Sequence, residues 1–248
     1  MNESLLYLYA IGGGEFIPPP AEPLREVFTV CYDGLTAFVA PVPVGEHEVS
    51  REAMISHQKV VGALWSMTPV VPVSFGTVLR DRTEVERLLE MNREELEAAL
   101  KRLIGRIELG LKVFWKKEVF AARFGERDPA VAELIRKAQE SGSERSYPVM
   151  AKVGELVEAK VQEARSLFER EVHRVLAGSA EDAVLNEILT IRMVLNAAYL
   201  VSKEDELLFD QQVNQLLEPR LGEFDVRYTG PWPPYNFARL RLKLQSER

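Results

Sequence analysis

The side chains best suited to chemistry are few and far apart. The chain holds three histidines, His47, His57 and His173, and they fall in three different segments. None stands in a metal-ligating spacing such as HxxxH or HExxH. General acid–base work needs histidines or paired carboxylates converging in one cleft, and no such partner pattern surrounds them. A structural or surface-polar role is therefore the expectation, with His57, beside Gln58 on an expected helix, the one to follow. Gly12-Gly13-Gly14 follows a strand, as a phosphate-binding loop would. No helix opens directly after it, and Glu15-Phe16-Ile17-Pro18 supplies no Lys-Ser/Thr pair, so it reads as a turn. Ser74-Phe75-Gly76-Thr77 invites a nucleophile reading but lacks the G-x-S-x-G elbow. Gly76 instead lets the chain turn out of a strand toward the next helix. Cys31 is the single cysteine, and its neighbours Val30 and Tyr32 predict a packed strand position.

The elements that would position these residues belong to a folded chain of ordinary core size. Of 248 residues 46% are hydrophobic and 28% charged, so no disulfide or metal staple is needed to explain stability. The net charge of −7 argues against a nucleic-acid partner, which needs a basic surface. Met1-Asn2-Glu3-Ser4 has no basic region ahead of the short apolar run, so the start reads as a first strand and not as a signal peptide. No stretch approaches the ~20 apolar residues needed to span a bilayer. The expected compartment is a reducing cytoplasm, with no membrane partner.

Leu5 to Ile11 is an apolar and aromatic run of strand length. Strands are expected over Val27 to Tyr32 and Leu35 to Ala40, joined by the hairpin signal Asp33-Gly34; Pro41 to Gly45 closes the hairpin region. Ser50 offers an N-cap to a helix whose spacing runs from Val49 to Met67. Val70 to Phe75 is strand-like, with Pro72 placing it at an edge or bulge. Asp81 or Thr83 caps a helix striped by Val85, Leu88/Leu89, Leu96, Leu100 and Leu103, whose Glu- and Arg-rich face reads as solvated i,i+4 pairing. From Arg106 to Lys116 residues alternate, Ile107, Leu109, Leu111, Val113 and Trp115 facing one way. Asp128-Pro129 opens a short helix that ends near a polar loop, Ser141 to Ser146. A longer helix then runs from Val153 to Leu176 and stops at Gly178. Two strands, Ala183 to Leu189 and Met193 to Val201, are followed by a helix with Leu207/Leu208, Val213 and Leu216/Leu217 inward. A last strand, Leu221 to Thr229, completes the order.

That order predicts an α+β protein of two domains: residues 1–104, an α+β sheet domain, and residues 105–248, a modified ferredoxin-like (split βαβ) domain with extra helices and a Pro/aromatic C-terminal segment. A ferredoxin-like half also raises a small-ligand or nucleic-acid-binding alternative. Leu109 to Trp115 does not match the aromatic motif of an RNA-recognition sheet. In Gly230-Pro231-Trp232-Pro233-Pro234-Tyr235-Asn236-Phe237 the prolines forbid helix and central strand and push each preceding residue into extended backbone. Trp232, Tyr235 and Phe237 on such a stiff segment lose little entropy on docking. The segment can clamp over the second domain or present itself to a partner.

This segment resembles the GPWPPYxF signature of the gas-vesicle GvpF/GvpL family. Leu6 to Ile11 is similar to the family's first strand and His57-Gln58 to its HQ pair. Pro72 to Thr77, with Phe75, Gly76 and Thr77, resembles its P-x-R-F-G-T strand end. Glu108 to Trp115 is similar to its E-x-x-x-K-V-x-W strand, and Leu195 to Val201, which contains Asn196, to its LNAAFLV strand. The chain departs at Ser74, where the family usually has arginine, and at Tyr199, a conservative change from phenylalanine. The resemblance implies a cytoplasmic, gas-vesicle-associated accessory protein without cofactor or catalytic activity. It would bind the hydrophobic shell protein GvpA, and other accessory proteins with it, preventing aggregation and assisting vesicle nucleation and assembly. It also makes His57, Gln58, Phe75, Gly76, Thr77, Asn196, Trp232, Pro233, Pro234, Tyr235 and Phe237 the residues to examine as signature or interaction positions.

Overall fold

The computed structural model describes residues 4–43, 50–125, 127–140 and 143–238. His47, Val49, the end of the Pro41 to Gly45 segment and the start of the expected 141–146 loop lie outside them. Strands β1 (Ser4–Gly13), β2 (Phe28–Tyr32) and β3 (Leu35–Pro43) lead to helix α1 (Arg51–Met67), then β4 (Val70–Pro72) and β5 (Val78–Leu79). Helices α2 (Arg82–Met91) and α3 (Arg93–Leu103) precede β6 (Arg106–Trp115), and α4 (Lys117–Phe124), α5 (Pro129–Glu140) and α6 (Ser143–Phe168) follow it. A π-helical turn, Glu169–His173, carries α6 into α7 (Arg174–Ser179), and then come β7 (Asp182–Leu185), β8 (Met193–Ser202), α8 (Glu206–Leu217) and β9 (Phe224–Trp232).

The chain divides into two compact units: Met1–Glu108 with the residues from Pro231 onward, and Leu109–Gly230. The expected cut at 104/105 differs from this mainly at the C-terminus. The Pro/aromatic segment, expected within residues 105–248 as a clamp over that domain or as a partner contact, clusters with the first unit.

In the first unit the sheet runs β2-β3-β1-β4, with β5 also on β1. The β2–β3 hairpin turns at Asp33 (φ 44°) and Gly34 (φ 83°), two successive left-handed residues of the kind a tight hairpin requires. Ser50 Oγ caps α1 by accepting from Ala53 N–H, and Asp81 caps α2 through Glu84 N–H. The helix expected to run on to Leu103 breaks at Asn92. That buried side chain donates to Leu88 O at 2.7 Å, in competition with the helical backbone. Ala10, Leu24, Phe38, Val60, Leu64 and Val70 form a buried cluster between β1, β3, β4 and α1, each large side chain contributing about 1.5–3 kcal/mol. Cys31, expected to be packed, is exposed, because successive strand residues face opposite ways and its neighbour Val30 takes the buried face.

In the second sheet the order is β7-β8-β6-β9, the arrangement expected of a split βαβ unit. β8 lies inside it and is buried from Met193 to Val201. Trp115 is buried among the rings of Phe120, Phe124 and Phe224. Phe120 and Phe124 come from α4, a helix the sequence reading missed. The inner face of α8 is corrected: Phe209, Val213 and Leu217 are buried, whereas Leu207 and Leu208 are 69% and 66% exposed. Of three consecutive apolar residues only one can occupy the i, i+4, i+8 stripe, and here it is Phe209.

Candidate functional site

The positions singled out by sequence fall into three groups. The first is built on His57, which α1 turns inward against the first sheet. Gly76 N–H donates to Tyr7 Oη at 2.9 Å, and Tyr7 Oη lies 2.9 Å from His57 Nδ1. His57 Nε2 lies 3.2 Å from Val73 O, a carbonyl that can only accept. The tautomer follows: Nε2 carries the proton and donates to Val73, and Nδ1 accepts from the Tyr7 hydroxyl. The rings of Tyr7, Tyr9 and Phe75 pack around the imidazole at centroid distances of 5.5–5.7 Å. Burial lowers the His57 pKa, opposed by the bond to Val73. Burial raises that of Tyr7, opposed by the Gly76 N–H.

This arrangement is a brace. It ties α1 to β1 and to the turn after β4, where Gly76 has φ 86° and Thr77 Oγ1 donates to Ser74 O at 2.8 Å. Both ring nitrogens are engaged, which accounts for His57, Phe75, Gly76 and Thr77 without a reaction. Gln58 points to solvent. Ser74 is also exposed, so the residue that stands where arginine is usual changes the surface and leaves the brace intact.

A pH dependence follows. Burial disfavours the charged imidazole of His57 and of His173, so their folded pKa values lie below the ordinary histidine value of about 6.5. The unfolded chain takes up protons first as pH falls. The stability these groups support is complete above about pH 6.5 and declines below it. Urea midpoints measured from pH 7.5 to 5.5 should fall, and a His57→Gln, His173→Gln chain should show a flatter profile.

The second group is the C-terminal segment. Pro231 and Trp232 extend β9, an outer strand, where a missing N–H is tolerated. The chain then turns instead of staying extended: Tyr235 N–H donates to Pro233 O, and Phe237 and Ala238 N–H to Pro234 O. Pro233, Pro234 and Phe237 are buried, whereas Trp232 is 49% exposed. Glu108 fixes the turn. Its buried carboxylate accepts from Asn236 N–H and from Asn236 Nδ2, each at 2.7 Å. Burial, then the charges of Tyr7 and Glu108, raise the Tyr235 pKa, and its hydroxyl has no hydrogen-bond partner among the described residues. Glu108→Ala strands two donors and should cost about 1.5–3 kcal/mol. Limited proteolysis should show faster cleavage between Gly230 and Ala238.

The third group is Asn196 alone, in the second unit. Its Nδ2 donates to Glu187 O and its backbone carbonyl accepts from Asn186 N–H, both at 2.7 Å, which fixes the β7–β8 loop. Sequence reasoning missed Tyr7 and Glu108 as partners. Tyr7 sits in an apolar run that gives no sign of a polar contact. Glu108 gave no sign either, because the alternation of β6 puts it on the face opposite Ile107 and Leu109, where a carboxylate is ordinary.

Among the described residues no cluster of His, Cys, Asp or Glu could hold a metal ion, and no helix is long and apolar enough to cross a membrane. The sequence pattern of the family described as gas vesicle synthesis protein GvpL/GvpF matches residues 5–239. The chain is 26% identical over 247 residues to gas vesicle protein F of Nostoc sp., covering 95% of this chain and 98% of that one. It is 31% identical over 223 residues to gas vesicle protein L of Streptomyces sp., covering 82% and 80%. The fold is similar to the crystal structure of GvpF from Anabaena sp., with a TM-score of 0.75 at 24% identity, over 99% of this chain and all (100%) of that one.

Proposed function

The chain belongs to the gas vesicle synthesis protein GvpL/GvpF family, and from that premise we propose that it is a non-catalytic assembly factor that binds the shell protein GvpA. The observation that carries this reading is the family match along nearly the whole chain, residues 5–239. His57 and Glu108 are consistent with it, because each holds the chain's own elements together.

On this reading the protein works in the cytoplasm and on the growing vesicle, holding an aggregation-prone subunit in solution until it is delivered. A subunit with exposed apolar faces and strand edges associates with itself unless they are covered. Covering them requires contact area and no bond-making chemistry. Other accessory gas vesicle proteins are partners on the same footing. The test is co-expression of the tagged chain with GvpA, followed by affinity capture. GvpA should be retained at high salt as well as low, since apolar burial is not screened. Absence of GvpA from the eluate, with both proteins soluble, would overturn the reading.

A further inference from the structure

We propose that the cavity beside α8 is a binding site for an extended aliphatic peptide segment, which it takes by the backbone. The end of α7 packs against α8, and residues of both line a cavity of about 480 Å³, within the size range of pockets that hold small ligands. One wall is a single stripe of α8. Leu208, Gln211, Gln212 and Gln215 stand at i, i+3, i+4 and i+7, so their side chains share a face. The neighbouring stripe, Phe209, Val213 and Leu217, is the one that enters the core.

Three primary amides facing one cavity are a specific chemistry. None of Gln211, Gln212 and Gln215 has a hydrogen-bond partner among the described residues. A primary amide both donates and accepts, as a peptide group does. A carboxylate only accepts and an ammonium only donates, so either would meet one half of a peptide group. Neighbouring positions on such a stripe stand about 5–6 Å apart at Cβ. Peptide groups that point the same way along an extended chain recur every ~6.6 Å. Flexible glutamine side chains span that difference, so successive amides can meet alternate peptide groups of one strand.

The rest of the lining selects the side chains. Leu208 is 66% exposed, and buried Phe209 reaches the cavity from the core stripe, so aliphatic side chains find an apolar surface to cover. Ser179 Oγ, which donates to Val175 O, is left with acceptor capacity. Asp205 is the one charged side chain among the described lining residues, and it accepts from Ser202 Oγ. The lining therefore offers no cation to a phosphate or to an acidic segment, and its carboxylate repels both. A neutral, extended, aliphatic segment matches every wall. The site stands apart from the capture of GvpA, because any such segment meets the same amides, and a failure here leaves that reading untouched.

The probe is a fluorescein-labelled synthetic hexapeptide, Ser-Leu-Ser-Val-Ser-Leu, titrated into the full chain by anisotropy. The control has the same side chains but methylated backbone nitrogens, which removes the peptide donors. Saturable binding of the unmodified peptide is expected, with at least roughly tenfold weaker binding of the methylated one. Gln211→Ala with Gln215→Ala changes exposed residues only and should weaken binding by a similar factor while the circular dichroism is unchanged. No saturable binding, equal binding of the two peptides, or indifference to the double variant would each overturn the proposal.

Discussion

His57→Ala is expected to lower the stability of the first unit by about 3–5 kcal/mol, read as a fall in the urea midpoint. The estimate combines lost packing against Tyr7, Tyr9 and Phe75 with a stranded Val73 carbonyl and Tyr7 hydroxyl proton, at roughly 1–3 kcal/mol for each buried group left without a partner. Tyr7→Phe should cost less, about 1–3 kcal/mol, because only Nδ1 loses its donor in the interior while Gly76 lies at an exposed turn. The double variant Tyr7→Phe, His57→Leu should cost less than the sum of the two single changes at these positions, since it removes both members of the pair together. A loss below about 1 kcal/mol for His57→Ala would contradict the brace.

Trp115→Ala should be at least as damaging in the second unit, at about 3–5 kcal/mol. Its side chain is almost wholly buried and touches rings from β9 and from α4. Trp115→Phe should recover much of that loss, because the indole N–H has no hydrogen-bond partner among the described residues to forfeit. Trp232→Ala, by contrast, should stay within about 1 kcal/mol of the parent chain, because its side chain is half exposed and little packing is lost. Tryptophan fluorescence during urea unfolding separates these cases.

The features legible in the sequence were those set by local rules. Asp33-Gly34 named its hairpin, Ser50 and Asp81 named their caps, and the alternation of β6 placed Trp115 inside. Where several apolar residues run together, periodicity could not choose among them. Leu207-Leu208-Phe209 was read with the leucines inward, and tertiary packing selected Phe209. The prolines after Gly230 were read as one stiff extended segment, but Glu108, more than a hundred residues earlier, gathers Asn236 and bends the chain into a turn. The same limit applied to the site. His57 was visible as an isolated histidine, whereas Tyr7, fifty residues away, became its partner only through the packing of α1 against β1.

The proposed action, holding the shell subunit back from aggregation, is read by light scattering. GvpA is diluted from denaturant into buffer with increasing amounts of the chain, and an inert acidic protein of similar size serves as the control. The scattering should fall in proportion to the chain added and level off at a fixed molar ratio, as binding requires. Scattering that matches the control at every ratio would contradict the claim.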